Sequence, residues 1–152
     1  MNTIGFDPSF FTLRQKLLYL LRLVPFVEKN YNMIELGPRE TGKTYTYRNT
    51  SSRSFVISGG ATTPATLFYH KGLKRLGIIG QRDVVYFDEI GRTRFADGDA
   101  TVNILKDYMQ TGLFSRGDQE FNATASIVLA GNIEVATDSH NPKPSDRYEH
   151  WL

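Results

Sequence analysis

A glycine-rich run directly behind an apolar stretch constrains the fold of this chain more than any other feature. Residues 37–44 match the pattern G-x-x-x-x-G-K-[ST] at every fixed position, and residues 33–36 before them suit a strand. A turn of this kind points consecutive backbone N–H groups inward, and the following helix adds the positive end of its dipole. The sequence therefore predicts a phosphate cradle formed by Gly37, Pro38, Arg39, Glu40, Thr41, Gly42, Lys43 and Thr44.

Two side chains of the cradle have expected roles. Lys43 is placed to reach the terminal phosphates of a nucleotide, and the Thr44 hydroxyl is placed to bind Mg²⁺. An ordinary glycine turn between a strand and a helix would give the same local pattern. A second motif argues against that reading, because four apolar residues, 84–87, run into the adjacent carboxylates Asp88 and Glu89. This is typical of a buried strand that delivers acids to its carboxyl end.

The two acids and one asparagine are candidates for the chemistry of phosphoryl transfer. Asp88 would hold Mg²⁺ through its water shell, and Glu89 would orient and deprotonate the attacking water. Asn132, which follows an apolar run and Gly131, would hold that water or the terminal phosphate. The alternatives are a helix-start acid for Glu89 and a turn asparagine for Asn132.

Helix and strand patterns alternate along the chain, which predicts an α/β fold. We expect an amphipathic leading helix within residues 11–27 that packs on the core through its apolar stripe, a helix after the cradle, and further helices at 64–75 and 101–109. Strands are expected at 32–36, 54–58, 83–87 and 126–130. Strands separated by helices pair in parallel, with helices on both faces of the sheet, and bind ligands beyond their carboxyl ends. The cradle, Asp88, Glu89 and Asn132 should therefore converge.

Composition fits one domain inside a cell. A chain of 152 residues without cysteine can bury one core and needs no disulfide framework. The longest apolar run, residues 17–21, is far shorter than a membrane span, and the first ten residues carry no basic leader. We therefore expect a cytoplasmic chain that does not contact membranes. A net charge of +2 does not by itself predict binding to nucleic acid.

The ordered motifs resemble the core of AAA+ ATPases. In that family the cradle would be Walker A, the Asp88-Glu89 pair Walker B, and Asn132 sensor 1. Residues 104–117 and 123–128 also resemble the helix, hairpin and strand of MCM-like replicative helicases, whose hairpin points into the channel of a ring. The turn 116–119 between residues 112–115 and 120–123 would place Arg116 near the hairpin tip, as a DNA contact or as an ordinary exposed arginine.

A closer resemblance is to the BrxL family, the Lon-related proteins of BREX phage-resistance systems. It covers about residues 13–132 and is carried by the segments 32–38, 57–60, 84–89, 108–109, 114–117 and 130–132. The resemblance implies an ATPase that binds ATP and Mg²⁺, assembles into a ring and acts on a polymer threaded through its centre.

The chain departs from the family after Asn132. Residues 133–152 contain no apolar run suited to a fifth strand, a helical lid or the Ser/Lys dyad of a Lon-type protease. We therefore expect a single AAA+ core over residues 1–152 that is a fragment of a longer protein, with an irregular tail and no protease activity. Arg116 and Arg147 are the candidates for the arginine that such rings supply to a neighbouring site.

The sequence thus predicts a cytoplasmic AAA+ ATPase domain that hydrolyses ATP once assembled in a ring and acts on DNA. As an isolated chain it should hydrolyse ATP very weakly. Two alternatives stay open: a motor that remodels protein substrates, and a non-catalytic module in which the nucleotide only stabilises assembly.

Overall fold

The computed structural model describes residues 7–132 of the chain. Within this range the α-helices are α1 (Leu13–Leu21), α2 (Lys43–Asn49), α3 (Pro64–Leu67) and α4 (Asp99–Thr111). The strands are β1 (Met33–Gly37), β2 (Ser54–Ser58), β3 (Ala61–Thr62), β4 (Tyr69–His70), β5 (Arg75–Leu76), β6 (Val84–Asp88), β7 (Arg94–Phe95), β8 (Leu113–Arg116), β9 (Gln119–Asn122) and β10 (Ser126–Asn132).

Four of these strands form one parallel sheet in the order β1-β10-β6-β2. Gly37 at the end of β1 is in register with Asn132 at the end of β10, and Ser58 of β2 with Asp88 of β6. The predicted α/β fold with a parallel sheet is confirmed. Residues 133–152, where the sequence predicts no fifth strand or lid, lie outside the described residues, as does Arg147.

The sheet is covered by helices on both faces because side chains alternate along its central strand. Val85 and Phe87 of β6 belong to a buried cluster with Leu105 and Tyr108 of α4. Val84 and Tyr86 belong to a second cluster, in which Tyr86 stacks on Tyr47 of α2 with 4.4 Å between ring centroids. Each fully buried side chain of this size contributes roughly 1.5–3 kcal/mol. This two-sided burial holds the carboxyl ends of the strands in place.

The leading helix is shorter and more exposed than the sequence predicts. Thr12 and Gln15 form a reciprocal capping box at its start, and the helix ends at Leu21, before a 3-10 turn at Val24–Phe26. Leu13 and Leu17 are 73% and 56% exposed, so the expectation of a helix packed on the core through its apolar stripe is wrong. Arg22, directly after the helix, contacts Glu35 of the edge strand β1.

The helix predicted over residues 64–75 is also wrong beyond its first turn. It ends at Leu67, and the chain then forms the antiparallel pair β4–β5. The backbone N–H of Gly77 donates to the carbonyl of Phe68 at 2.6 Å, and Lys74 adopts a positive φ of 49° in the turn. Because Gly77 packs against the end of α3 through this hydrogen bond, the helix ends at Leu67.

The predicted hairpin before the last strand is confirmed. Strands β8 and β9 pair antiparallel, and Gly117 in the turn has a φ of 68°. Phe114 stacks on Phe121 across the pair, and Phe121 contacts Tyr69 of β4 with 4.5 Å between centroids. The two hairpins therefore pack side by side.

Among residues 7–132, every helix is too short or too polar to span a lipid bilayer.

Candidate nucleotide site

The cradle lies between the end of β1 and the start of α2. Gly42 precedes α2 with a φ of 74°, which glycine adopts without strain. Glu40 has a φ of 63°, in the left-handed region that side chains with a Cβ rarely occupy. The loop borders a cavity of about 400 Å³ at the carboxyl edge of the sheet, lined by Arg39, Glu40, Thr41, Gly42, Lys43, Thr44, Tyr45, Asp88, Glu89, Arg92 and Asn132.

The ammonium of Lys43 lies inside the loop. Its Nζ donates to the backbone carbonyls of Gly37 at 3.0 Å and Pro38 at 2.6 Å. Desolvation by burial lowers the pKa of Lys43, and the positive charge of Arg22 adds to the shift against the opposing effects of Glu35 and Asp88. The Lys43 ammonium is therefore buried and bonded to backbone carbonyls of the cradle.

Thr44 and Asp88 are joined directly. The Thr44 hydroxyl donates to Asp88 Oδ1 at 3.1 Å, although the residues are 44 positions apart in the chain. The other carboxylate oxygen of Asp88 accepts a long bond of 3.5 Å from Ser58. Mg²⁺ prefers hard oxygen ligands, so this hydroxyl and carboxylate suit the ion in chemistry and in position.

Glu89 is held on both of its oxygens. The Asn132 side-chain amide donates to Glu89 Oε1 at 2.7 Å, and Arg92 Nη1 lies 3.1 Å from Oε2. Glu89 itself has a φ of 54°, immediately after β6. The parallel register explains the contact, because β10 and β6 are neighbours whose carboxyl ends meet at one edge.

The structure thus brings together the cradle, Asp88, Glu89 and Asn132, as the sequence predicts. Arg116 lies on β8 and does not line this cavity. Sequence reasoning missed Arg92. The available signal was its position three residues after Glu89, and the structure places the two residues at a 3-10 turn where they pair. It also missed the contact of Arg22 with the cradle, for which the sequence contained no signal.

The comparisons with known proteins decide the family. The family described as "Lon-like protease BrxL-like, ATPase domain" matches residues 1–150. The chain belongs to this family. The resemblance of its motifs to BrxL is thereby confirmed, and the match extends beyond the expected residues 13–132.

Two curated relatives support the assignment. The Lon-like protease BrxL of Escherichia coli O9:H4 (strain HS) is 43% identical over 139 residues, and that of Bacillus cereus (strain H3081.97) is 44% identical over 138 residues. Each match covers 91% of this chain and 20% of the relative. The chain therefore spans about a fifth of the length of the BrxL proteins that it matches.

A solved structure shares the fold. NtrX from Brucella abortus in complex with ADP is similar with a TM-score of 0.52 and 19% identity, over 78% of this chain and 29% of that chain. At this identity the likeness concerns the fold alone.

Proposed function

We propose that this chain is the ATP-binding and ATP-hydrolysing core of a ring-forming AAA+ motor that acts on DNA in phage defence. It would be one domain of a longer cytoplasmic protein. The observation that carries the proposal is the convergence of Lys43, Thr44, Asp88, Glu89 and Asn132 on one cavity. These residues provide a group that binds phosphate, a site for Mg²⁺ and a general base, which are the groups that phosphoryl transfer needs.

The residues divide the chemistry between them. Lys43 and the cradle N–H groups would bind the phosphates, while Thr44 and Asp88 would hold Mg²⁺, which would neutralise phosphate charge when bound. Glu89 takes a proton from water as the water oxygen bonds to the terminal phosphorus. The bond from that phosphorus to the bridging oxygen breaks, releasing ADP and phosphate. Asn132 keeps the Glu89 carboxylate oriented through its bond to Oε1.

Paired variants test the proposal. Lys43→Ala should abolish ATP binding measured by calorimetry while the urea unfolding midpoint stays near that of the parent. Glu89→Gln should keep ATP with Mg²⁺ and lose turnover in the assembled protein. Equal affinity in Lys43→Ala and parent would remove the central claim. A non-catalytic assembly module would show no turnover for Glu89→Gln to lose.

The hairpins support DNA as the polymer. Exposed Lys71, Lys74 and Arg75 lie on the β4–β5 hairpin, and half-buried Arg116 lies on the neighbouring one. A Cβ built on Gly117 would come within 2.7 Å of Lys71 Nζ, so the two tips meet. Asp118 and Glu120 offset part of this charge. Repeated around a ring, the positive tips would attract phosphate backbones.

A motor acting on protein is the second candidate, and Lon-like relatives favour it by name. The aromatic side chains of the hairpins pack against each other. The tips carry mainly charged and polar groups, with Leu73 as an exposed apolar side chain among them. A surface of that kind suits a phosphate backbone better than an unfolded polypeptide, so we favour DNA.

A further inference from the structure

One arginine links the leading helix to the phosphate cradle. Arg22 follows α1, and its Nε donates to Glu35 Oε1 at 2.7 Å. Its Nη1 donates to the backbone carbonyl of Thr41 at 3.0 Å. Glu35 lies in β1 and Thr41 in the cradle, so a single guanidinium joins helix, strand and loop.

The link is buried and held from several directions. The side chains of Arg22 and Glu35 are only 12% and 14% exposed. The guanidinium also lies over the ring of Tyr19, 4.6 Å from its centroid. The second oxygen of Glu35 is buried and has no hydrogen-bond partner among residues 7–132, so its charge is compensated by the ion pair with Arg22 and by the nearby charge of Lys43. A planar guanidinium with several fixed donors suits this arrangement better than an ammonium.

The contact with Thr41 bears on the geometry of the cradle. A trans peptide unit is planar, so the carbonyl of Thr41 and the N–H of Gly42 point in opposite directions. Arg22 binds that carbonyl, and Gly42 lines the cavity on the loop. Glu40 and Gly42 on either side of Thr41 both have positive φ angles, which leaves the loop dependent on outside contacts for its shape. Fixing this one carbonyl therefore fixes the direction of a cradle N–H group.

We propose that Arg22 is a positioning residue for nucleotide, which sets the Thr41–Gly42 peptide of the cradle and couples α1 to nucleotide occupancy. The inference rests on the proposed binding of ATP. By reciprocity, ATP should slow amide exchange in α1, and the coupling should vanish when the guanidinium is removed.

The rival reading is that Arg22 only attaches the helix to the sheet. The double variant Arg22→Met with Glu35→Met separates the two, because replacement of a buried ion pair by apolar residues is often neutral for stability, whereas the Thr41 contact disappears. Arg22→Lys keeps the charge, but an ammonium lacks the planar set of N–H donors with which the guanidinium bonds Glu35 and Thr41 at the same time. A matched control removes the exposed pair Arg53–Asp83, whose Nε and Oδ2 are 2.7 Å apart.

We expect the Arg22 variants to bind ATP about tenfold more weakly by calorimetry, the scale of one lost hydrogen bond from a charged donor. Their urea midpoints should stay near that of the parent, and the control should match the parent in affinity. Without nucleotide, the amide NMR resonance of Gly42 should shift in the Arg22 variants and stay unchanged in the Arg53–Asp83 control.

Two results would overturn the inference: parental affinity in both Arg22 variants, or an unmoved Gly42 resonance. Should the double variant not fold, Arg22→Lys decides by the same two measurements. Absence of ATP binding in the parent would instead overturn the proposed function, and the Gly42 resonance would then report separately on whether Arg22 holds the loop.

Discussion

The side-chain amide of Asn132 donates to Oε1 of Glu89 across 2.7 Å, joining residues 43 positions apart in the chain. The contact exists because β10 and β6 are parallel neighbours that end at the same edge. Arg92 reaches the other oxygen of the same carboxylate from within a 3-10 turn. One carboxylate is thus held by a neighbouring strand and by its own turn, and these two contacts should differ in importance.

Asn132→Ala should lower turnover strongly, because it removes the donor that orients Glu89. General-base catalysis contributes roughly 10²–10⁴-fold, and we expect a loss of at least tenfold with ATP affinity within about twofold of the parent. Arg92→Ala is the matched control. The Arg92 side chain is exposed and its ion pair with Glu89 is partly open to solvent, so turnover should change by less than about fivefold. Steady-state rates of the assembled protein measure both, and equal effects would remove the orienting role of Asn132.

The backbone at Glu40 offers a test of strain in the cradle. A residue with a Cβ costs roughly 1–2 kcal/mol in the left-handed region, whereas glycine adopts it freely. Glu40→Gly should therefore be more stable than Glu40→Ala by about 1 kcal/mol in urea unfolding. Both variants lose the carboxylate, so their difference isolates the backbone. Equal stability would mean that the positive φ of Glu40 is without cost.

The positions of Glu89 and Asn132 show how much the sequence could reveal. Each follows an apolar run, and parallel pairing brings the carboxyl ends of such runs together, so their proximity was predictable. The contact of Arg22 with Thr41 was not. It depends on the conformation of the segment between α1 and β1, which sets the position of the helix. No periodicity in the sequence predicts that conformation.

The segment after Pro64 shows a second limit. The helical pattern there is interrupted by a tertiary contact, because Gly77 returns to the backbone of Leu67. A Cβ on Gly77 would lie 2.5 Å from backbone atoms of Leu67 and Thr66, closer than packing allows. Such an approach between distant residues overrides local propensity and is invisible in a local pattern.

Gly77→Ala should therefore destabilise the fold, with a loss of about 2 kcal/mol typical of overpacking against backbone that cannot move aside. Gly72→Ala in the same hairpin is the control. A Cβ there would meet His70 at 3.5 Å, an ordinary contact, so the free energy of unfolding should change by less than about 0.5 kcal/mol. Chemical unfolding of the two variants measures the difference, and similar losses would contradict the close approach.

The lowered pKa of Lys43 predicts a pH dependence of ATP binding. Desolvation favours the neutral amine, so Lys43 should lose its charge at lower pH than an ordinary lysine. Because phosphate binding needs the ammonium, affinity should fall as pH rises through the pKa of the free protein. Calorimetry across an alkaline series, with circular dichroism to confirm folding, measures the fall. The Lys43→Arg variant stays charged, so any ATP affinity that it retains should show no such fall. Constant affinity in the parent up to about pH 10.4, the ordinary pKa of lysine, would contradict the prediction.

The last prediction concerns the polymer. In the assembled full-length protein, Arg116→Ala should weaken DNA binding for all sequences alike and reduce the salt slope by about one per contacted phosphate, with ATP affinity unchanged. Arg14→Ala is the matched control, because it removes the same charge from an exposed residue of α1 that belongs to neither hairpin. Titrations at several salt concentrations compare the slopes. If Arg116→Ala left DNA binding and its slope unaltered while processing of a protein substrate failed, the hairpin would belong to a motor that acts on protein. The convergence of positive tips would then serve an acidic polypeptide, since the attraction depends on the charge of the polymer and not on its backbone.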